Sequence, residues 1–231
     1  MVASRKDPTS ELNADRTSRM PGEQRKALLV KYALAHFSTK GFHATSMQEI
    51  AASAGITKPV IYQHFRSKRS LYLELLGQVG NDLCLRIREA TEHCDTVHLR
   101  VIAGFESYFR FALENRAGYE LLFVSGPRRD PEFQGTIVRI ENEIADLVTS
   151  KIEADITESH RRFLALGVIA LAEGTVRRWL NEIDSAGQYG MPFQETSGPM
   201  WSQRVAELAW AGLRGIQRDD STREAGASGG L

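Results

Sequence analysis

The chain holds two cysteines in 231 residues, no apolar run of membrane-spanning length, no net charge and no alternating pattern of the β type. Each absence excludes something. Cys84 and Cys94 lie on what reads as one helix, separated by about 15 Å along its axis. That distance rules out a disulfide within the chain and leaves two reduced thiols. A spanning helix needs about 20 apolar residues, and the first residues lack the apolar core of a signal peptide. A cytoplasmic protein with no membrane partner is therefore expected. Without strands or internal repeats the fold class is all-α. Cys94 and His98 have i,i+4 spacing, with His93 adjacent, but nothing completes a ligand set, so no metal and no cofactor is expected. No acids and bases are spaced to converge on a reacting atom, so the chain does not read as an enzyme.

The neutral total conceals an uneven distribution. Between residues 22 and 70, eight lysines and arginines accompany two acids, a net of +6. From 76 to 231, seventeen accompany twenty-three, a net of −6. A basic head on an acidic body suits a protein that meets a polyanion at one end.

Within the basic region, Thr45–Lys68 reads as two short helices joined by a tight turn, then the start of a third. Ser46 with Glu49 three residues later is a capping box, and Met47, Ile50 and Ala51 mark one buried face. Gly55 falls where the chain must turn. Thr57 is positioned as the next N-cap, with Pro59 in the first turn, where a missing N–H costs little. Ser67 is positioned to cap the helix beginning at Lys68. At 100° per residue, Ile61 and Phe65 share one side of the second helix, while Pro59, Val60 and Gln63 occupy the other. This is the outline of a helix-turn-helix. Gln63 suits an adenine edge and Val60 a thymine methyl. Thr57, Lys58, Tyr62, His64 and Lys68 are better placed for phosphates, and Thr45 and Ser46 complete the expected DNA-binding set.

These residues resemble the DNA-binding region of TetR/AcrR-type one-component regulators. The resemblance covers residues 25–72 through Leu28, Leu29, Ala33, Phe37, Lys40-Gly41-Phe42, Thr45-Ser46, Ile50-Ala51, Ala54-Gly55-Ile56-Thr57, Tyr62-Gln63-His64-Phe65 and Ser67-Lys68. The pair Pro59-Val60 departs from the common pattern of Gly and a small residue, so base preference does not carry over. The expected organisation is a disordered arm at 1–20, a helix-turn-helix domain at 21–68, a ligand-binding and dimerisation domain at 69–217 and a disordered tail at 218–231. The arm, with Arg5, Lys6, Arg16 and Arg19, has the composition of a minor-groove element.

Past Lys68 the periodicity predicts helices at about 68–94, 97–115, 118–124, 132–154, 158–183 and 200–217, with a loop over 184–199. The last two long helices are apolar on more than one side, which calls for a second partner. Leu166, Ile169, Trp179, Trp201, Val205, Leu208 and Gly212 are the expected faces of a four-helix homodimer that presents two recognition helices to a palindromic operator. The alternative is that the 158–183 helix is simply the centre of the monomer core. In the resembling family a ligand enters among the helices after the recognition unit. That implies an effector site at Leu83, Ile87, Phe105, Tyr108, Phe109, Ala112 and Phe123; without the resemblance, the same stripe reads as ordinary core.

Lys58–Phe65, Leu71-Tyr72-Leu73, Gly118–Phe123 and Trp210–Leu213 resemble, more narrowly, the actinobacterial regulators of fatty acid synthase genes. That resemblance implies control of lipid-biosynthesis genes in response to long-chain acyl-CoA. The competing expectation is a repressor of an efflux or catabolic operon, released by a small hydrophobic or drug-like effector.

Overall fold

Helix α1 (Gly22–Ala44) is set by Leu29, Ala33 and Phe37, which recur one turn apart and are buried. Gly41 interrupts it at φ +78°, a conformation that favours glycine, and Phe42 turns inward just beyond. The computed structural model describes residues 21–124, 130–152, 154–189 and 198–216. The expected arm at 1–20 and tail at 218–231 lie outside the described residues.

Helix α2 (Met47–Ser53) opens on the anticipated capping box: Glu49 N donates to Ser46 Oγ, and Ser46 N donates to Glu49 Oε2 at 2.8 Å. Gly55 takes φ +68° and turns the chain into α3 (Lys58–His64). Helix α4 (Lys68–Glu92) begins with a reciprocal pair, Ser70 N to Ser67 Oγ and Ser67 N to Ser70 Oγ. Phe37, Phe42, Tyr72 and Phe133 form an aromatic core with centroid distances of 4.7–5.9 Å, several of them edge-on. Rings at such separations add to their burial energy, roughly 1.5–3 kcal/mol each.

Then come α5 (Val97–Glu114), a short α6 (Arg116–Tyr119) and a π-helical turn at Glu120–Val124. Helices α7 (Pro131–Thr149), α8 (Glu158–Tyr189) and α9 (Gly198–Leu213) follow. No strand occurs among the described residues. The loop expected over 184–199 is corrected at both ends. Helix α8 continues to Tyr189, because Gly187 alone costs only about 1 kcal/mol and the first proline after Asp184 is Pro192. Helix α9 starts two residues early, with Pro199 in its first turn.

Two compact units result. One comprises the described residues up to Gly80 together with Ala117–Ile137; the other comprises Asn81–Arg116 and the described residues from Val138 onward. The expected boundary at 68/69 therefore moves. The first half of α4 belongs to the head because Leu71 and Tyr72 are part of its core, and Phe133 joins them from a distant stretch of sequence. In the second unit α5 packs closely on α9. Arg116 there donates to both carboxylate oxygens of Asp184, at 3.0 and 2.6 Å.

Candidate DNA interface and effector cavity

Helix α3 is only seven residues long and is held by Ile61 and by Phe65 just past its end, both buried. Thr57, Lys58, Pro59, Tyr62 and Gln63 are exposed on the other side, with Val60 half-buried. Thr57 occupies the N-cap but its hydroxyl does not cap the helix, which leaves it available outward. Ser46 is exposed, although its hydroxyl serves the capping box. Lys40 donates to Glu49 at 2.7 Å. That ion pair first, and the Ser46 bonds second, pull the Glu49 carboxyl from its ordinary value down to about 2.

Three residues of the expected DNA-binding set, two of them expected phosphate contacts, are bonded internally or buried. Thr45 is buried, and its hydroxyl donates to the carbonyls of His36 and Gly41 at the end of α1. Lys68 donates to the carbonyls of His43 and Thr45, with its ammonium 4.6 Å from the Phe42 ring centroid. His64 is half-buried with Nε2 in the interior. Burial above all, then the Arg25 charge, pushes His64 below the ordinary histidine value, so it favours the neutral ring and is a poor phosphate ligand at neutral pH. The common reason is position: these residues lie where the helices of the head join, where carbonyls at helix ends accept from Thr45 and Lys68 and packing buries the His64 ring nitrogen.

The second unit contains a cavity of about 570 Å³. Its walls are mostly apolar, with Ile87 from α4, Val101 and Phe105 from α5, Ile144 from α7, Val168 from α8 and Trp210 from α9 among them. Thr91 also lines it, but its hydroxyl donates back to the Ile87 carbonyl at 2.8 Å. Charge comes from Arg100, Lys151, Asp155 and Arg214. An apolar hollow of this size with a few polar groups is the form of a small-molecule site.

Of the expected effector residues, Ile87, Phe105 and Tyr108 line this cavity. Leu83, Phe109, Ala112 and Phe123 do not: all four are buried in packing, Phe109 against Trp179 and Phe123 against Tyr119. Ile169, expected on a dimer face, lines the cavity instead. Trp179 and Val205 are likewise buried inside the subunit, and for Trp179, on the 158–183 helix, this is the alternative of a core role. A Cβ on Gly198 would stand 2.8 Å from the Trp179 ring, so the start of α9 closes over that indole. Leu166 and Leu208 are 49% and 64% exposed, joined by Phe163 at 72%. Gly212 is exposed, and Trp201 is half-buried. Lys151, Ile152 and Arg214 escaped sequence reasoning because periodicity carries them into the helices expected at 132–154 and 200–217, which end at Thr149 and Leu213; Ile156 escaped because it lies between helices.

Residues 29–75 match the pattern of the bacterial regulatory proteins of the tetR family. Over 200 residues the chain is 32% identical to the transcriptional activator FasR of Mycolicibacterium smegmatis, covering 86% of this chain and 87% of that protein. The chain belongs to the TetR family.

As a TetR-family protein it is a transcriptional regulator rather than an enzyme. It is also 27% identical over 161 residues to the transcriptional repressor KstR2 of Rhodococcus jostii, covering 70% of this chain and 69% of that one. The fold is shared with a TetR-like regulator from a Rhodococcus species (TM-score 0.67, 23% identity, 86% of this chain and all of the other). It is shared too with Bacillus subtilis FadR, solved in complex with stearoyl-CoA (TM-score 0.65, 16% identity, 83% and 99% covered). No described helix of this TetR-family chain is long and apolar enough to cross a membrane.

Proposed function

We propose that this protein is a homodimeric, cytoplasmic regulator that binds a palindromic operator and controls fatty-acid or lipid biosynthesis genes in response to a long-chain acyl-CoA. The observation that carries the effector half is the largely apolar cavity of about 570 Å³ in the second unit. The FasR relationship and the stearoyl-CoA held by a protein of the same fold support a lipid ligand.

DNA recognition rests on the exposed face of α3. Gln63 and Val60 read base edges, Pro59 lies along the groove floor, and Thr57, Lys58 and Tyr62 hold phosphates. Ser46 positions the start of α2 beside them. Dimerisation rests on the exposed strip Phe163, Leu166 and Leu208, with Gly167 and Gly212 open for close approach. Helix α4 supplies Leu71 and Tyr72 to the core of the head and Ile87 and Thr91 to the cavity. A ligand bound differently in two states thus has one continuous element through which to bias the head.

The test is a gel shift on selected operator DNA, titrated with acyl-CoAs of increasing chain length. Operator affinity that changes with chain length supports the reading. The cavity also falls within the size range of drug-like sites. A flat response to every acyl-CoA, with response to a hydrophobic drug, assigns the efflux or catabolic role instead.

A further inference from the structure

The charged residues of the cavity are confined to helix ends. Arg100 stands in the first turn of α5, Lys151 and Asp155 in the turns after α7, and Arg214 in the turn after α9. His98 stacks on Trp210 at 5.1 Å, which brings the start of α5 together with the end of α9. The mid-helix walls, Phe105, Ile144, Ile169 and Ala172, are apolar. Along α5 the lining face runs from Val97 to Tyr108, about 16 Å of helix. The cavity is thus an apolar bore with charge supplied from the helix termini.

The net sign at those termini is positive. Arg100 and Asp155 are each engaged within the subunit. Lys151 and Arg214 make no ion pair among the described residues. Lys151 also borders a second hollow with Glu92, Glu143 and Asp146 and forms no ion pair with them. Asp146 is taken by Arg162. The bland account is that both cations offset the negative ends of α7 and α9. That account does not require them to line a cavity.

Building on the effector reading above, we propose that Lys151 and Arg214 form a head-group subsite for an amphiphile, taking its carboxylate or phosphate while the hydrocarbon body fills the bore. Direct binding of dodecanoate, dodecanoyl-CoA and dodecanol to the full chain tests it, with a Lys151→Ala/Arg214→Ala variant alongside. The wild type should bind both anionic amphiphiles roughly tenfold or more tightly than the alcohol. The variant should lose that preference while still binding dodecanol, which reports an intact bore. A loss confined to the thioester names the coenzyme phosphates as the group read; an equal loss for the free acid names simple head charge.

An unchanged anion preference in the variant overturns the subsite, whether or not the melting temperature falls, and leaves the effector reading standing. Wild type that binds none of the three overturns the subsite, and together with operator affinity that is flat across all acyl-CoA chain lengths it overturns the effector reading as well.

Discussion

The Lys68 ammonium donates to the Thr45 carbonyl oxygen at 2.8 Å and lies over the ring of Phe42. It ties the first turn of α4 to the end of α1 and the entry to α2. A lysine whose position in the chain suggests a phosphate contact is therefore also a clamp on the geometry of the head.

Lys68→Ala should destabilise the protein by about 1–2 kcal/mol, from lost charge-assisted bonds and a cation–π contact. That corresponds to a fall of several degrees in melting temperature. Operator affinity should drop while the salt dependence stays near that of wild type, since the main loss is positional. Melting curves and binding across a salt series check both, and a slope reduced by about 0.9 per protomer, roughly 1.8 for the dimer, would instead mark a phosphate contact.

Lys58→Ala should behave in the opposite way. The side chain is exposed at the start of α3 and makes no contact that holds the fold. Stability should be unchanged, and the salt slope should fall by about 0.9 for each protomer, roughly 1.8 for the dimer. Gln63→Ala should keep the slope and relax preference at one base pair of each half-site, by roughly 1–3 kcal/mol at each, read by competition between operator variants.

Part of the acid sensitivity should trace to Glu49. Its carboxyl is held at about 2 by Lys40 and Ser46, below its ordinary value near 4.5. A folded-state pKa below the unfolded one means stabilisation that is present above about 4.5 and lost as pH falls towards 2. Glu49→Gln should thus be less stable than wild type at neutral pH, with the gap closing across that window. Denaturant unfolding of both proteins from pH 7 downward measures it; a gap independent of pH would count against the ion pair.

Gly198→Ala should cost about 1–3 kcal/mol, because the new methyl meets the buried Trp179 ring at 2.8 Å and the indole has little room to move. Near-ultraviolet circular dichroism and thermal melting would register the displaced tryptophan.

Gly104→Phe should fill the cavity. The glycine lines it, and a Cβ there meets only Thr91, at an ordinary 3.7 Å. Effector affinity should fall tenfold or more while operator binding without effector is retained, as gel shifts with and without acyl-CoA would show.

The head was legible in the sequence because its signals are local. A capping box, a glycine with positive φ and two apolar residues one turn apart act over a few residues, and Ser46–Glu49, Gly55, Ile61 and Phe65 all occur as their chemistry requires. The limits of that legibility also have a physical cause. Thr45, His64 and Lys68 read as surface groups until neighbouring helix ends claim their polar atoms or bury them.

The body was legible as helices but not as a site. An apolar stripe states that a face is covered, not whether the cover is a neighbouring helix, a ligand or a second subunit. Tertiary packing sent Phe109, Trp179 and Val205 to the core and Ile169 to the cavity, and left Phe163, Leu166 and Leu208 outside. It also gathered Lys151 and Arg214 from the ends of two helices more than sixty residues apart in sequence. The sequence by itself determined an all-α chain with a basic DNA-reading head, since periodicity, capping and charge are properties of short segments. Only the tertiary structure decided where the cavity lies and which charges border it, because those depend on which helix ends meet.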